Sequence, residues 1–180
     1  MPVAFSHSAA SSLALWPVIE DLNGDGRLDL VTADGATSRV SVALGTGSGS
    51  FSAAAAFAVG GSPVSVAVAD VNADGRPDVL TANQTSTISV LLGTGNGALG
   101  AATSFATGAT PLDLGVGDWD GDGRLDLAVT SFGSSRVTLH RGTGTGTFVL
   151  PTGIALGAPP RGIGVADLNR DGRLDLVVTT

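Results

Sequence analysis

The residues of this chain best suited to chemistry form one stretch, Asp118-Trp119-Asp120-Gly121-Asp122-Gly123-Arg124-Leu125-Asp126. Carboxylates stand at its places 1, 3, 5 and 9, and a glycine at place 6. Together with the backbone carbonyl at place 7 they offer five oxygens to one point. A hard cation such as Ca²⁺ takes about 6–8 oxygens at roughly 2.3–2.6 Å, so one or two waters would complete the shell. Glycine at place 6 takes the positive φ of a sharp loop without steric cost. Left without a cation, the loop would crowd four like charges together. The chemistry expected here is ion ligation.

The same nine-residue pattern occurs three more times. Its copies run Asp21 to Asp29, Asp70 to Asp78 and Asp167 to Asp175, each with asparagine at place 3, which keeps an oxygen donor and removes one charge. The copies start at 21, 70, 118 and 167, so the period is 48 or 49 residues. A fixed period of that size is the mark of a repeat architecture, propeller blades among them. Of the 16 acidic residues, 13 lie in these four loops; eight positive charges from four divalent cations would bring the net −7 to +1. The acidity therefore reads as internal ligand charge, not as a surface for basic partners.

Elements that position the loops follow from the pattern around them. A first strand is expected to enter each loop, over 13–20, 64–69, 112–117 and 161–166. Large and small residues alternate along it (Val66 and Val68 with Ala67 and Ala69; Leu114 and Val116 with Gly115 and Gly117). Such alternation suits a crowded innermost strand. Prolines 63, 111, 159 and 160 precede these strands, where a missing N–H does little harm. A β-branched second strand leaves each loop (30–33, 79–82, 127–130, 176–179). A third is expected at 40–44, 88–92 and 137–140, and a short fourth around Phe57, Phe105 and Ile154. The expected repeats are 13–58, 62–106, 110–155 and 160–180, in a single propeller unit over 1–180, with 1–12 as a closing strand. Reuse of Gly at 27 positions and of aromatics at only 4% fits short strands joined by tight turns.

Several other chemistries find no support. The turns Gly45 to Gly49, Gly93 to Gly97 and Gly142 to Gly146 look like phosphate loops, but they lack the lysine of a P-loop and open no helix. An EF-hand needs Glu at place 12, where this chain has Thr32, Thr81, Val129 and Val178. His7 and His140 are the only histidines, read as a chain end and an outward strand position. With no Cys, Lys or Tyr, and with the aspartates committed to a cation, no catalytic constellation forms. The nine basic residues are scattered arginines, which argues against nucleic acid. Arg39, Arg136 and Arg141 read as a solvated rim, and Trp119 as core packing. No apolar run reaches the ~20 residues of a membrane helix. Residues 1–7 lack the basic and apolar regions of a signal peptide.

The four Asp-x-(Asp/Asn)-x-Asp-Gly-x-x-Asp loops, the approach VSVAVAD at 64–70 and the exit ISVLLGTGNG at 88–97 together resemble the FG-GAP/VCBS family. This is the calcium-loop repeat of integrin-α-type propellers and of many secreted bacterial proteins. The resemblance implies an all-β fold, a β-propeller of four-stranded antiparallel blades, three full and one partial, with about four Ca²⁺, one per loop. The implied ligands are Asp21, Asn23, Asp25 and Asp29; Asp70, Asn72, Asp74 and Asp78; Asp118, Asp120, Asp122 and Asp126; and Asp167, Asn169, Asp171 and Asp175. The carbonyls of Arg27, Arg76, Arg124 and Arg173 add a fifth donor to each set. It further implies an extracellular or cell-surface setting, and with no catalytic constellation in the residues the reading is a non-enzymatic module for binding or adhesion to a protein or glycan. A propeller domain of a secreted polysaccharide-active enzyme and a structural spacer are the alternatives. Family propellers usually have about seven blades. Closure as a small four-bladed ring and pairing of two chains into an eight-bladed homodimer both stand open.

Overall fold

The computed structural model describes residues 17–149 and 151–180. The expected closing strand in 1–12 and the start of the first strand, 13–16, lie outside these residues, as does His7. Fourteen strands are described, grouped into three four-stranded antiparallel sheets and one pair. The first sheet holds β1 (Val18–Glu20), β2 (Asp29–Asp34), β3 (Arg39–Ala43) and β4 (Ala55–Ala58). The second holds β5 (Pro63–Ala69), β6 (Asp78–Asn83), β7 (Thr87–Leu91) and β8 (Thr103–Ala106). In the third, β9 (Pro111–Gly117), β10 (Asp126–Ser131), β11 (Arg136–His140) and β12 (Thr152–Ala155) follow the same order. The fourth has β13 (Ile163–Ala166) and β14 (Asp175–Val178). This is an all-β, propeller-like fold whose described sheets do not close into a ring.

Every strand pairs with its neighbour in sequence, as short turns require. The acidic nonapeptides join first to second strands, and the last aspartate of each loop is already the first residue of the second strand. Prolines 63 and 111 open β5 and β9 instead of preceding them. One residue later the register against β6 and β10 shifts, so the missing donor falls beside a bulge.

The sheets are held together by apolar layers between them. Leu22, Val31, Val40 and Val42 of the first sheet meet Val66, Val79, Leu91 and Leu99 of the second. Leu80, Ile88 and Val90 of the second meet Leu114, Leu127, Val129 and Phe148 of the third. Phe105 adds an edge-to-face contact with Phe148, with centroids 5.7 Å apart. Each fully buried Val or Leu contributes about 1.5–3 kcal/mol, so these layers fix how the blades sit. The strands β6 and β10 are buried along their whole length because both their faces are covered. Outermost β4, β8 and β12 are largely exposed. The small residues of the inner strands have a packing reason. A methyl group on Gly115 would stand 2.7 Å from Val165 of β13, and one on Gly117 would stand 2.5 Å from Leu174. Close approach of β9 to β13 favours glycine at 115, and the tip of Leu174 fills the space beside Gly117.

Candidate metal centre

Each acidic loop is built from its own side chains. In the first, Asp21 accepts the N–H groups of Gly24 and Gly26, both at 2.8 Å. Asp70 accepts Gly75 at 2.7 Å, Asp118 accepts Gly121 and Gly123 at 2.8 Å, and Asp167 accepts Gly172 at 2.9 Å. These N–H donors, Gly26 foremost for Asp21 and Gly123 for Asp118, hold both carboxyls below the usual carboxylate range. The fifth-place aspartates accept the N–H of the arginine two residues on, at 2.8–2.9 Å in all four loops. This folds Arg27, Arg76, Arg124 and Arg173, whose carbonyls belong to the expected donor sets, around each loop's second half.

Place 4 proves as demanding as place 6. It is left-handed in every copy, at Gly24 (φ 72°), Ala73 (φ 59°), Gly121 (φ 76°) and Arg170 (φ 62°). Two of these residues carry a side chain in a conformation that costs non-glycine residues about 1–2 kcal/mol.

The ninth-place aspartates are the loops' anchors. Asp29 and Asp78 have no exposed surface and Asp126 has 4%. One carboxylate oxygen accepts the N–H at place 2: Leu22 and Val71 at 3.0 Å, Trp119 at 3.2 Å, and Leu168 for Asp175 at 2.9 Å. The other oxygen accepts, at 2.8 Å, the N–H of Gly45, Gly93 or Gly142. These are the first residues of the glycine turns, so the turns brace the acidic loops. Any side chain at Gly45, Gly93 or Gly142 would strike the carbonyl of Leu28, Pro77 or Leu125. The next glycine seats the loop arginine, since Arg27, Arg76 and Arg124 lie against Gly47, Gly95 and Gly144. Sequence reasoning missed this role, although the turns share the loops' period. Burial pushes the Asp78 carboxyl up from its ordinary value, against the pull of its two N–H donors.

The third loop differs from the rest. Carboxylate oxygens of Asp118, Asp120 and Asp126 lie within 4.8 Å of one another, and no other group of three acidic, His or Cys ligands does so among the described residues. Two oxygens on one Ca²⁺ stand at most about 5 Å apart, so this spacing and the all-oxygen donor set fit a hard cation. Asp122 is outside the group: one oxygen accepts the Arg124 N–H and the other is 3.5 Å from Arg124 Nη1. In the other loops Asn23, Asn72 and Asn169 donate through Nδ2 to Asp25, Asp74 and Asp171 at 3.1–3.2 Å. The asparagine thereby ties place 3 to place 5.

Two residues stand otherwise than expected. His140 faces inward and is 1% exposed, with Nε2 at 3.1 Å from Thr107 Oγ1; burial pushes its pKa down to about 4. Arg141 is no free rim charge, since its Nη1 lies 3.0 Å from Asp120 Oδ2. Arg39 and Arg136 are exposed, and Trp119 is half-buried in the third loop. No described helix is long and apolar enough to cross a membrane.

Comparison with known proteins bears on the repeat and the fold. The FG-GAP-like repeat matches three times, over residues 21–81, 70–129 and 118–178. No curated protein sequence matches the chain. Among solved structures, an Agrocybe aegerita lectin, described as specifically recognising non-reducing terminal N-acetylglucosamine, is similar at 23% identity and TM-score 0.66, covering 93% of this chain and 47% of the lectin. BBS1N, solved in complex with ARL6DN, is similar at 21% identity and TM-score 0.60, covering 93% of this chain and 54% of BBS1N. The Photorhabdus luminescens Tc holotoxin pore is similar at 19% identity and TM-score 0.56, covering 95% of this chain and 8% of the toxin chain. This chain thus spans about half or less of each of these three structures, and at these identities the likeness is one of fold. The repeat matches run through the loops and strands described above, and the chain belongs to the FG-GAP-like repeat family.

Proposed function

We propose that this chain is a calcium-stabilised, non-catalytic β-propeller module that binds a protein or glycan outside the cell. The observation that carries the calcium reading is the convergence of Asp118, Asp120 and Asp126 within 4.8 Å. A bound cation supplies positive charge that relieves carboxylate repulsion in the loop. Asp118 and Asp126 stand at the ends of β9 and β10, so holding both on one centre fastens the first two strands of the blade. The Asn loops keep an all-oxygen donor set with one carboxylate fewer and form sites of the same kind. Metal binding that depends on a folded loop stabilises the fold in turn.

Two findings favour a binding role. The similar lectin is described as recognising a terminal sugar, and BBS1N as solved with a protein partner. Among the described residues no acid and base stand paired: the one described histidine is buried, and the loop aspartates are engaged by N–H groups. Localisation outside the cell, where Ca²⁺ is plentiful, fits this reading, and pairing of two chains would close the open sheets into a ring.

Chelator-stripped protein, melted by circular dichroism with and without 2 mM Ca²⁺, tests the calcium reading; a rise in melting temperature on adding Ca²⁺ and its reversal by chelator are expected. An unchanged melt would overturn it. Glycan and matrix-protein arrays probed in calcium test the binding role, and silence on all of them would favour a spacer.

A further inference from the structure

The third acidic loop departs from its siblings at two places that touch. Place 3 is Asp120 where the other loops have Asn23, Asn72 and Asn169. Arg141, which follows β11, stands where Leu44 follows β3 and Leu92 follows β7, each immediately before the first glycine of its turn. The two leucines reach into the next sheet: Leu44 lies against Gly97, and Leu92 stands 2.7 Å from where a Gly146 methyl would be. Arg141 instead turns back to its own loop and meets Asp120 Oδ2 at 3.0 Å. The second oxygen of Asp120 accepts the Asp122 N–H at 3.2 Å. The extra negative charge and an extra positive charge therefore occur in the same blade and in contact. With Arg141 in place, the third loop has the same net charge as the first and second loops.

We propose that Arg141 is an ionic latch on the third loop, setting the affinity of that site for a divalent or trivalent cation. The inference rests on the calcium reading of the loops. Asp118 and Asp126 are held by N–H donors, whereas Asp120 is the one member of the triad engaged by a charged side chain. Cation entry must weaken the guanidinium contact and meets the field of Arg141 at close range. The Arg141 side chain is 70% exposed, so it can swing to solvent at little cost. Removing it leaves Asp118, Asp120 and Asp126 without a cationic side chain beside them and makes this the tightest of the four sites. Because the pair is solvated, the effect fades as salt rises.

Trp119, second in the third loop where the others have Leu22, Val71 and Leu168, makes the site separately visible. Terbium luminescence excited through this indole is titrated in a W16F background, so that Trp119 is the only donor. The Arg141→Leu variant, carrying the residue found at positions 44 and 92, is expected to bind Tb³⁺ about tenfold more tightly at low ionic strength. In 0.5 M salt the gain is expected to shrink below about threefold. Adding Asp120→Asn should cancel most of the gain at low salt. Equal affinity with and without Arg141, or a gain that Asp120→Asn and salt leave untouched, would overturn the latch. Absence of sensitised emission from the parent protein would instead remove the metal reading itself, and the latch with it.

Discussion

In the third loop Asp126 is 4% exposed and accepts two N–H groups, from Trp119 at 3.2 Å and from Gly142 at 2.8 Å. In the fourth loop Asp175 is half-buried and accepts one described N–H, from Leu168 at 2.9 Å. The nonapeptide motif is the same, and so are its internal bonds from Gly123 to Asp118 and from Gly172 to Asp167. What differs is the blade around it. β10 has β11 and the glycine turn beside it, while among the described residues β14 pairs only with β13. The motif thus shapes the loop, and the outer half of the blade fastens it.

The sharpest way to break this comparison is to remove the anchor in each setting. Asp126→Ala leaves two N–H groups without their acceptor and is expected to cost about 3 kcal/mol of unfolding free energy in urea. Asp175→Ala should cost only a fraction of that, and equal losses would mean that the glycine turn adds nothing.

A second contrast sets the third blade against the second, where Leu91 occupies the place of His140. Below pH 6.5 the imidazole of the unfolded chain takes up a proton, whereas the buried one refuses it until about pH 4. Stability should therefore be level above pH 6.5 and fall by about 3 kcal/mol as the pH drops through that window. The His140→Leu variant should lose this component of the slope. An unaltered profile in that variant would assign the slope to the carboxylates. Those of Asp21 and Asp118, held below their ordinary range, contribute stability above it that is lost only at more acid pH.

Smaller effects are expected at the fourth place of the loops. Ala73→Gly and Arg170→Gly should each raise stability by about 0.5–1 kcal/mol, since glycine adopts the positive φ freely. Thermal melts of the two variants would register this as a rise of a few degrees. A drop would show that the methyl or the guanidinium makes a compensating contact.

Much of this architecture was legible in the sequence. Aspartate, asparagine and glycine recur at fixed places with a 48–49 residue period, and alternating Val–Ala and Leu–Gly pairs mark the inner strands. The glycine turns' service to the loops was not legible, because Gly45 and Asp29 are 16 residues apart and only the fold pairs them. A left-handed place 4 left no sign where Ala73 and Arg170 occupy it. The face of β11 that carries His140 was ambiguous, since β11 is buried on both sides and periodicity cannot choose between them. Convergence of Asp120, but not Asp122, with Asp118 and Asp126 depends on the loop's path, which equal spacing does not reveal.

Whether these loops hold metal is decided by calorimetric titration of Ca²⁺ into chelator-stripped protein beside an Asp118→Ala, Asp120→Ala double variant. Saturable heat is expected, with dissociation constants in roughly the micromolar-to-millimolar range, and one site fewer in the variant. No heat in the parent protein, or identical isotherms for the two, would contradict it.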